Sequence, residues 1–270
     1  MEVRIIMGRH SIMNILVCVK QVPDLERIVV THDAHGMASL ALSDRFAMNR
    51  FDEFAVEQAV SIKESMTGVH IDVITVGPER SVQILKRAIG MGCNDGVHLA
   101  TAANADPGPA TVAAWIAQFA RSGEYDLMLC GVMSEDSMCG QVGPMAAALL
   151  GLPYSTQVMG MKISPDLADV SIEREIESGA RELVDIPLPA LLALQPGINR
   201  PRYPALSNML RANRHVFKTI PTDTLETMGV QVDCIGLAKP PHTRAAQVIT
   251  GSPLEKAEQM AALLKAKALI

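Results

Sequence analysis

The chain has 270 residues, 49% of them hydrophobic and 3% aromatic, with a formal net charge of −5. That length allows one large domain with an arm, or two small domains, and a sizeable core. The acidic balance argues against a nucleic-acid binder, whose footprint is a basic face, and no apolar run approaches the roughly 18 residues of a membrane span.

The opening "MEVRIIMGRHSI" has charges but no long apolar stretch or small-residue cleavage site. It reads as an extension, 1–12, rather than a signal peptide. "NILVCVKQV", 14–22, is rich in Val and Ile and stops at Pro23, as a buried first strand does. "THDAHGMASL" follows and reads as a loop. In "NRFDEFAVEQAVSIKES", Phe51, Phe54, Ala55, Ala59, Ile62 and Met66 recur at helical spacing behind Asn49, an expected N-cap. "HIDVITVGPE" is a second buried strand, and "SVQILKRAIGMG" a helix ending at Gly90 or Gly92. "DGVHLA" is a short third strand, and "GPATVAAWIAQFARSG" a helix opened near Pro109. "YDLMLCGV" is the fourth strand, and "DSMCGQVGPMAAALLGLP" then supplies a polar loop and a small apolar helix.

Strands and helices alternate to this point, which predicts a doubly wound, mostly parallel α/β sheet covered on both faces. "ADVSIEREIESGARELVDI" alternates around Ser178-Gly179 and predicts an antiparallel ribbon. "LPALLALQPG" reads as one more buried strand. Prolines recur from Pro196 to Pro221, and "PLEKAEQMAALLKAKAL" closes the chain as an amphipathic helix. This gives an α/β domain over 13–197 and a proline-rich loop with an extended C-terminal arm over 198–270. "RANRHVFK" is the one basic cluster and reads as a solvated helix face.

The cysteines are Cys18, Cys93, Cys130, Cys139 and Cys234. They show neither a CxxC pair nor metal-ligand spacing, and the first three sit among apolar or small residues. Buried thiols of this kind imply a reducing compartment, here the cytoplasm. GxGxxG, the P-loop, GxSxG and HExxH are all missing, so neither a dinucleotide fingerprint nor a nucleophile elbow is present. In an open parallel sheet, ligands bind beyond the carboxyl ends of the strands, at the point where strand order reverses. The strands ending at Cys18, Val76 and Gly131 would frame that crevice. Gly140, Gln141 and Val142 would then aim backbone N–H groups into it from a helix N-terminus, an arrangement that suits an anion. Asp136 or Ser137 acting as a plain helix cap is the alternative reading.

Nine segments, in order, resemble the beta subunit of electron-transfer flavoproteins. They are "NILVCVKQVPD", "MNRFDEFAVEQAVSIKE", "VITVGPE", "LKRAIGMGCNDGVHL", "DLMLCG", "DSMCGQVGPMAAALLGLP", "VSIEREIESG", "LPALLAL" and "NRPRYPALSNMLRA". The resemblance implies an obligate heterodimer with an alpha subunit that carries most of an FAD site. It makes 13–197 a nucleotide-binding domain and 198–270 a partner-docking loop and arm. It implies AMP in the beta pocket or, in an electron-bifurcating branch, a second FAD. It implies nucleotide contacts at Cys18, Asn49, Arg50, Phe51, Asp52, Val76, Gly131, Val132, Met133, Ser134, Asp136, Ser137, Cys139, Gly140, Gln141 and Val142. Leu206 matches an anchor for a flavin dehydrogenase such as an acyl-CoA dehydrogenase. Glu175 matches a contact to the mobile FAD domain of the alpha subunit. The chain departs from the family pattern at Leu25, at Arg50 in place of a proline, and at Gly140 and Val142 around the Gln. "KQVPD" and "QVGP" lean towards the bifurcating branch, "PRYPALSNML" towards the AMP branch. AMP is the expectation taken, with the second FAD and a stand-alone adenine-nucleotide-binding stress-type protein as alternatives.

Overall fold

The computed structural model describes residues 12–24, 29–32, 38–41, 45–103, 105, 107–228 and 248–270. Nearly all of the expected extension, 1–12, and Cys234 lie outside them. The first strand, β1 (Met13–Cys18), is shorter than the sequence suggests. The chain breaks at Val19-Lys20, and Gln21–Pro23 (β2) pairs instead with Phe46–Met48 (β5). The stretch read as a loop contributes two short paired strands, β3 (Val29–His32) and β4 (Ala38–Ala41).

From there the expected alternation holds: α1 (Arg50–Ser65), β6 (Val69–Gly77), α2 (Val82–Met91), β7 (Asp95–Ala100), α3 (Pro109–Arg121), β8 (Leu127–Gly131) and α4 (Val142–Leu150). Gly92, at φ +136°, ends α2, and Gly151 ends α4 in the left-handed region. An unforeseen strand, β9 (Tyr154–Ile163), precedes the ribbon of β10 (Asp169–Glu175) and β11 (Arg181–Pro187). β12 (Ala190–Leu194), α5 (Leu206–Ala212) and β13 (Lys218–Pro221) follow.

The main sheet has nine strands in the order β11-β10-β9-β12-β8-β1-β6-β7-β13. All neighbours from β9 to β13 are parallel. β13 lies within the span read as loop and arm, yet it adds an outer strand beside β7. Alternation along each strand divides the core in two. Ile15, Val17, Ile71, Leu129 and Leu192 face α1 and α2, while Leu16, Ile74, Met128 and Leu191 face α3 and α4. Each large side chain buried in this way contributes about 1.5–3 kcal/mol, which fixes strand register firmly enough to hold the loops at the strand ends.

The chain divides into two compact units, 1–30 with 40–233, and 31–39 with 234–270. The sheet and its helices belong to the first. The second carries α6 (Pro253–Ala266), which opens with a capping box between Ser252 and Glu255. Among the described residues no helix is long and apolar enough to cross a membrane.

Candidate functional site

The chain runs β1, β6, β7 towards one side, then returns through α3 to β8 on the other side of β1. Strand order therefore reverses between β1 and β8, and the crevice opens beyond Cys18–Lys20 and Gly131–Ser134.

Asn49 and Asp52 shape that crevice. Asn49 occupies the N-cap position of α1, but its side chain makes no capping bond. It reaches into the β8 loop, donating to the Met133 carbonyl (2.8 Å) and accepting from the Glu135 N–H (3.1 Å). Asp52 accepts from the Lys20 N–H (2.7 Å) and the Gly131 N–H (2.9 Å), which ties both strand ends to the first turn of α1. Both residues are buried. Burial pushes the Asp52 carboxyl up to about 7, against the two backbone donors, Asn49 and Lys20. Gly131 is required here because a Cβ would stand 2.6 Å from the Phe51 carbonyl carbon and from Asp52 Oδ1.

The loop also closes on itself. Lys20 reads from sequence as a solvated strand end, but its Nζ lies 2.7 Å from Asp136 Oδ1 and 3.3 Å from Ser134 Oγ. Burial opposes ionisation of Asp136, yet hydrogen bonds from Lys20, Ser134 and Ser137 hold its carboxyl below the ordinary value. The Ser134 and Ser137 hydroxyls meet at 2.9 Å, and the Met138 N–H bonds the Ser134 carbonyl. Cys139 donates to the Ser137 carbonyl, and Gly140, at φ +61°, turns the chain against the Val132 carbonyl. Gln141 then precedes α4 without a side-chain cap, so Asp136 and Ser137 serve the loop rather than the helix. Close packing of α4 on β8 needs Gly143, where a Cβ would meet Cys130 Sγ at 2.8 Å.

Glu135 is a residue sequence reasoning missed. Its carboxylate accepts from the Arg50 N–H at 3.2 Å and lies 3.5 Å from Arg50 Nε. A lone Glu in a loop gives no sequence signal; only the fold brings it to α1. Cys18 closes β1 half-buried, and burial pushes its thiol up to about 12. Burial likewise raises the Cys130 thiol. These thiols lack nucleophile character. Val76 sits at the carboxyl end of β6, next to β1.

A family model described as "Electron transfer flavoprotein domain" matches residues 39–224. The chain belongs to the electron transfer flavoprotein family. It is 30% identical over 263 residues to "Electron transfer flavoprotein subunit beta" of Bacillus subtilis (strain 168), covering 96% of this chain and 100% of that one. Similarity to the subunit beta of Homo sapiens is 31% over 257 residues, covering 94% and 97%, and to that of Dictyostelium discoideum 31% over 263 residues, covering 96% and 99%. These relatives support a role in electron transfer.

Of the two expected docking residues, Leu206 lies on α5, outside the strand ends that frame the crevice, while Glu175 reaches the same edge of the sheet through Gln195, next after the β12 residue that pairs with Gly131. Leu206 reads from sequence as part of a loop but begins α5, and it is 77% exposed. Tyr203 and Leu210 are exposed beside it in sequence. The approach to α5 is anchored by Arg202, which clamps the buried Glu57 of α1 (Nε to Oε2, 2.9 Å) and also Glu64. Glu175 ends β10 and accepts from Gln195 Nε2.

Proposed function

We propose that this chain is the beta half of a heterodimeric electron transfer flavoprotein, with AMP in its own crevice and FAD carried mainly by an alpha subunit. The observation that carries the reading is the double clamp of Asn49 and Asp52. It preforms the polar loop 131–141 at the switch point of the sheet, where open parallel sheets bind ligands.

The residues at hand fit a nucleotide monophosphate. The first turn of α4 has no side-chain cap, and helix starts favour anions. Ser134 and Ser137 offer hydroxyls, and Lys20 neutralises Asp136 at the loop. Cys18, Asn49 to Asp52, Val76 and Gly131 to Val142 would line the site, with Glu135 added through Arg50. Thiols held protonated fit a pocket that keeps its nucleotide rather than hydrolysing it.

FAD, when bound, supplies the electron relay. The role of this chain is to assemble with the alpha subunit, through its C-terminal arm, and to present a docking surface. Leu206, exposed at the start of α5, would seat in a flavin dehydrogenase of the acyl-CoA dehydrogenase type, and Glu175 would meet the FAD domain. The free thiols among the described residues support a cytoplasmic setting.

The test is to co-purify the chain with its flavoprotein partner and follow flavin reduction by a substrate-loaded dehydrogenase. Reduction should occur. Leu206→Ala should slow it about tenfold while leaving bound flavin unchanged, the effect of losing one apolar anchor worth roughly 1.5 kcal/mol. A chain that recruits no flavin-bearing partner would sink the proposal, and unchanged kinetics in the variant would remove Leu206 from the docking surface.

A further inference from the structure

The amino-terminal edge of the sheet carries a cluster that the crevice does not use. His70 and Asp72 stand two residues apart on β6, so both leave the same face of the sheet. β6 and β7 pair in parallel with Asp72 directly beside Asp95. Register thus sets two carboxylates side by side, an arrangement that costs stability unless positive charge lies between them.

Three further observations say what such a charge could be. First, one atom each from His70, Asp72 and Asp95 lies within 4.8 Å of the other two. His70 Nε2 is 3.1 Å from Asp72 Oδ1 and 3.4 Å from Asp95 Oδ2. Zinc binds nitrogen and carboxylate oxygen at about 2.0–2.2 Å, which sets tetrahedral ligands about 3.3–3.6 Å apart. Second, His215, before β13, brings its Nε2 to 3.4 Å from the other Asp95 oxygen, Oδ1, so the carboxylate that faces His70 is also held at its far oxygen. That nitrogen is buried and makes no hydrogen bond. Third, the remaining oxygen of Asp72 accepts from the Tyr125 hydroxyl at 2.7 Å. This is the outer hydrogen bond that orients a metal-binding carboxylate.

We propose that His70, Asp72 and Asp95 bind a divalent cation of the zinc class, with the fourth position left to water. An imidazole beside two carboxylates forms a mixed nitrogen and oxygen donor set, which suits zinc better than magnesium or calcium. The bound ion would cross-link β6 and β7. The sequence shows no metal spacing because the sheet register, not the chain, brings the ligands together.

The full chain, in its heterodimer if it purifies as one, is stripped with chelator and titrated with zinc by equilibrium dialysis. One zinc per chain is expected. Asp95→Asn and His70→Gln should each weaken binding at least tenfold and leave flavin and nucleotide content unchanged. Tyr125→Phe should weaken it about tenfold, as loss of an outer partner does. Cobalt in place of zinc should give the visible spectrum of a tetrahedral site with no thiolate-to-cobalt band. That spectrum is read on the unsubstituted chain, so it decides the matter even if a variant misfolds. No saturable binding, binding that survives both ligand substitutions, or a thiolate band would overturn the site.

Discussion

The two edges of the sheet both gather acidic residues but treat them differently. At the carboxyl edge Asp52 is buried and draws its hydrogen bonds from the backbone of Lys20 and Gly131. At the amino edge Asp72 and Asp95 are more exposed and face His70, His215 and Tyr125. Backbone donors are fixed by the strands, so Asp52 acts as a clamp that shapes a loop. Side-chain partners can rotate, so the residues of the amino edge can turn from pairing with one another to holding a ligand.

The sharpest way to break this contrast is to force the clamp apart. Gly131→Ala would push a Cβ into the backbone of Phe51. A loss of about 3 kcal/mol is expected, at the upper end for overpacking, together with loss of bound nucleotide. Denaturant unfolding and nucleotide content would show both; a variant of full stability would mean that α1 and β8 are not in close contact.

Removing the acid should cost somewhat less. Asp52→Ala leaves two N–H groups without partners and is expected to cost about 2 kcal/mol. The pH dependence separates a clamp from a simple filler. Burial raises the Asp52 carboxyl to about 7, so the folded chain keeps a proton that the unfolded chain releases near pH 4. The contribution is then full below about pH 4 and is lost as pH rises through about 7. Unfolding free energy measured across that window should fall for the native chain and fall less in Asp52→Asn. Identical slopes would contradict the burial of Asp52.

The smallest effect belongs to the mouth of the crevice. Lys20 and Asp136 are only partly buried, so Lys20→Met should cost less than about 1 kcal/mol of stability, and salt should shrink the difference. Nucleotide affinity measured against salt should lose part of its dependence. A salt-independent effect would mean that Lys20 acts through packing.

Hydrophobic periodicity made most of the sheet and its covering helices legible, because apolar strands alternating with amphipathic helices have few other ways to bury themselves. β9 was missed because "YSTQVMGMKI" mixes polar and small residues, and its pairing with β10 and β12 is what makes it a strand. β13 was missed because four residues that end in Pro221 carry no period. Asn49 was legible as a helix start. Its reach to Met133 and Glu135 was not, since those partners lie 84 and 86 residues away. Leu206 and Glu175 came from the family resemblance, as neither has a local pattern of its own. The His70 cluster left no trace in the sequence because it depends on the neighbour register of Asp72 and Asp95.

One measurement bears most directly on the crevice. The complex of this chain with its flavoprotein partner is denatured, and the released nucleotides are separated and counted. A preformed AMP crevice predicts one FAD and one AMP per heterodimer, with AMP lost in Gly131→Ala and FAD retained. Two FAD and no AMP would contradict the account and place a second flavin between Asn49 and Gln141.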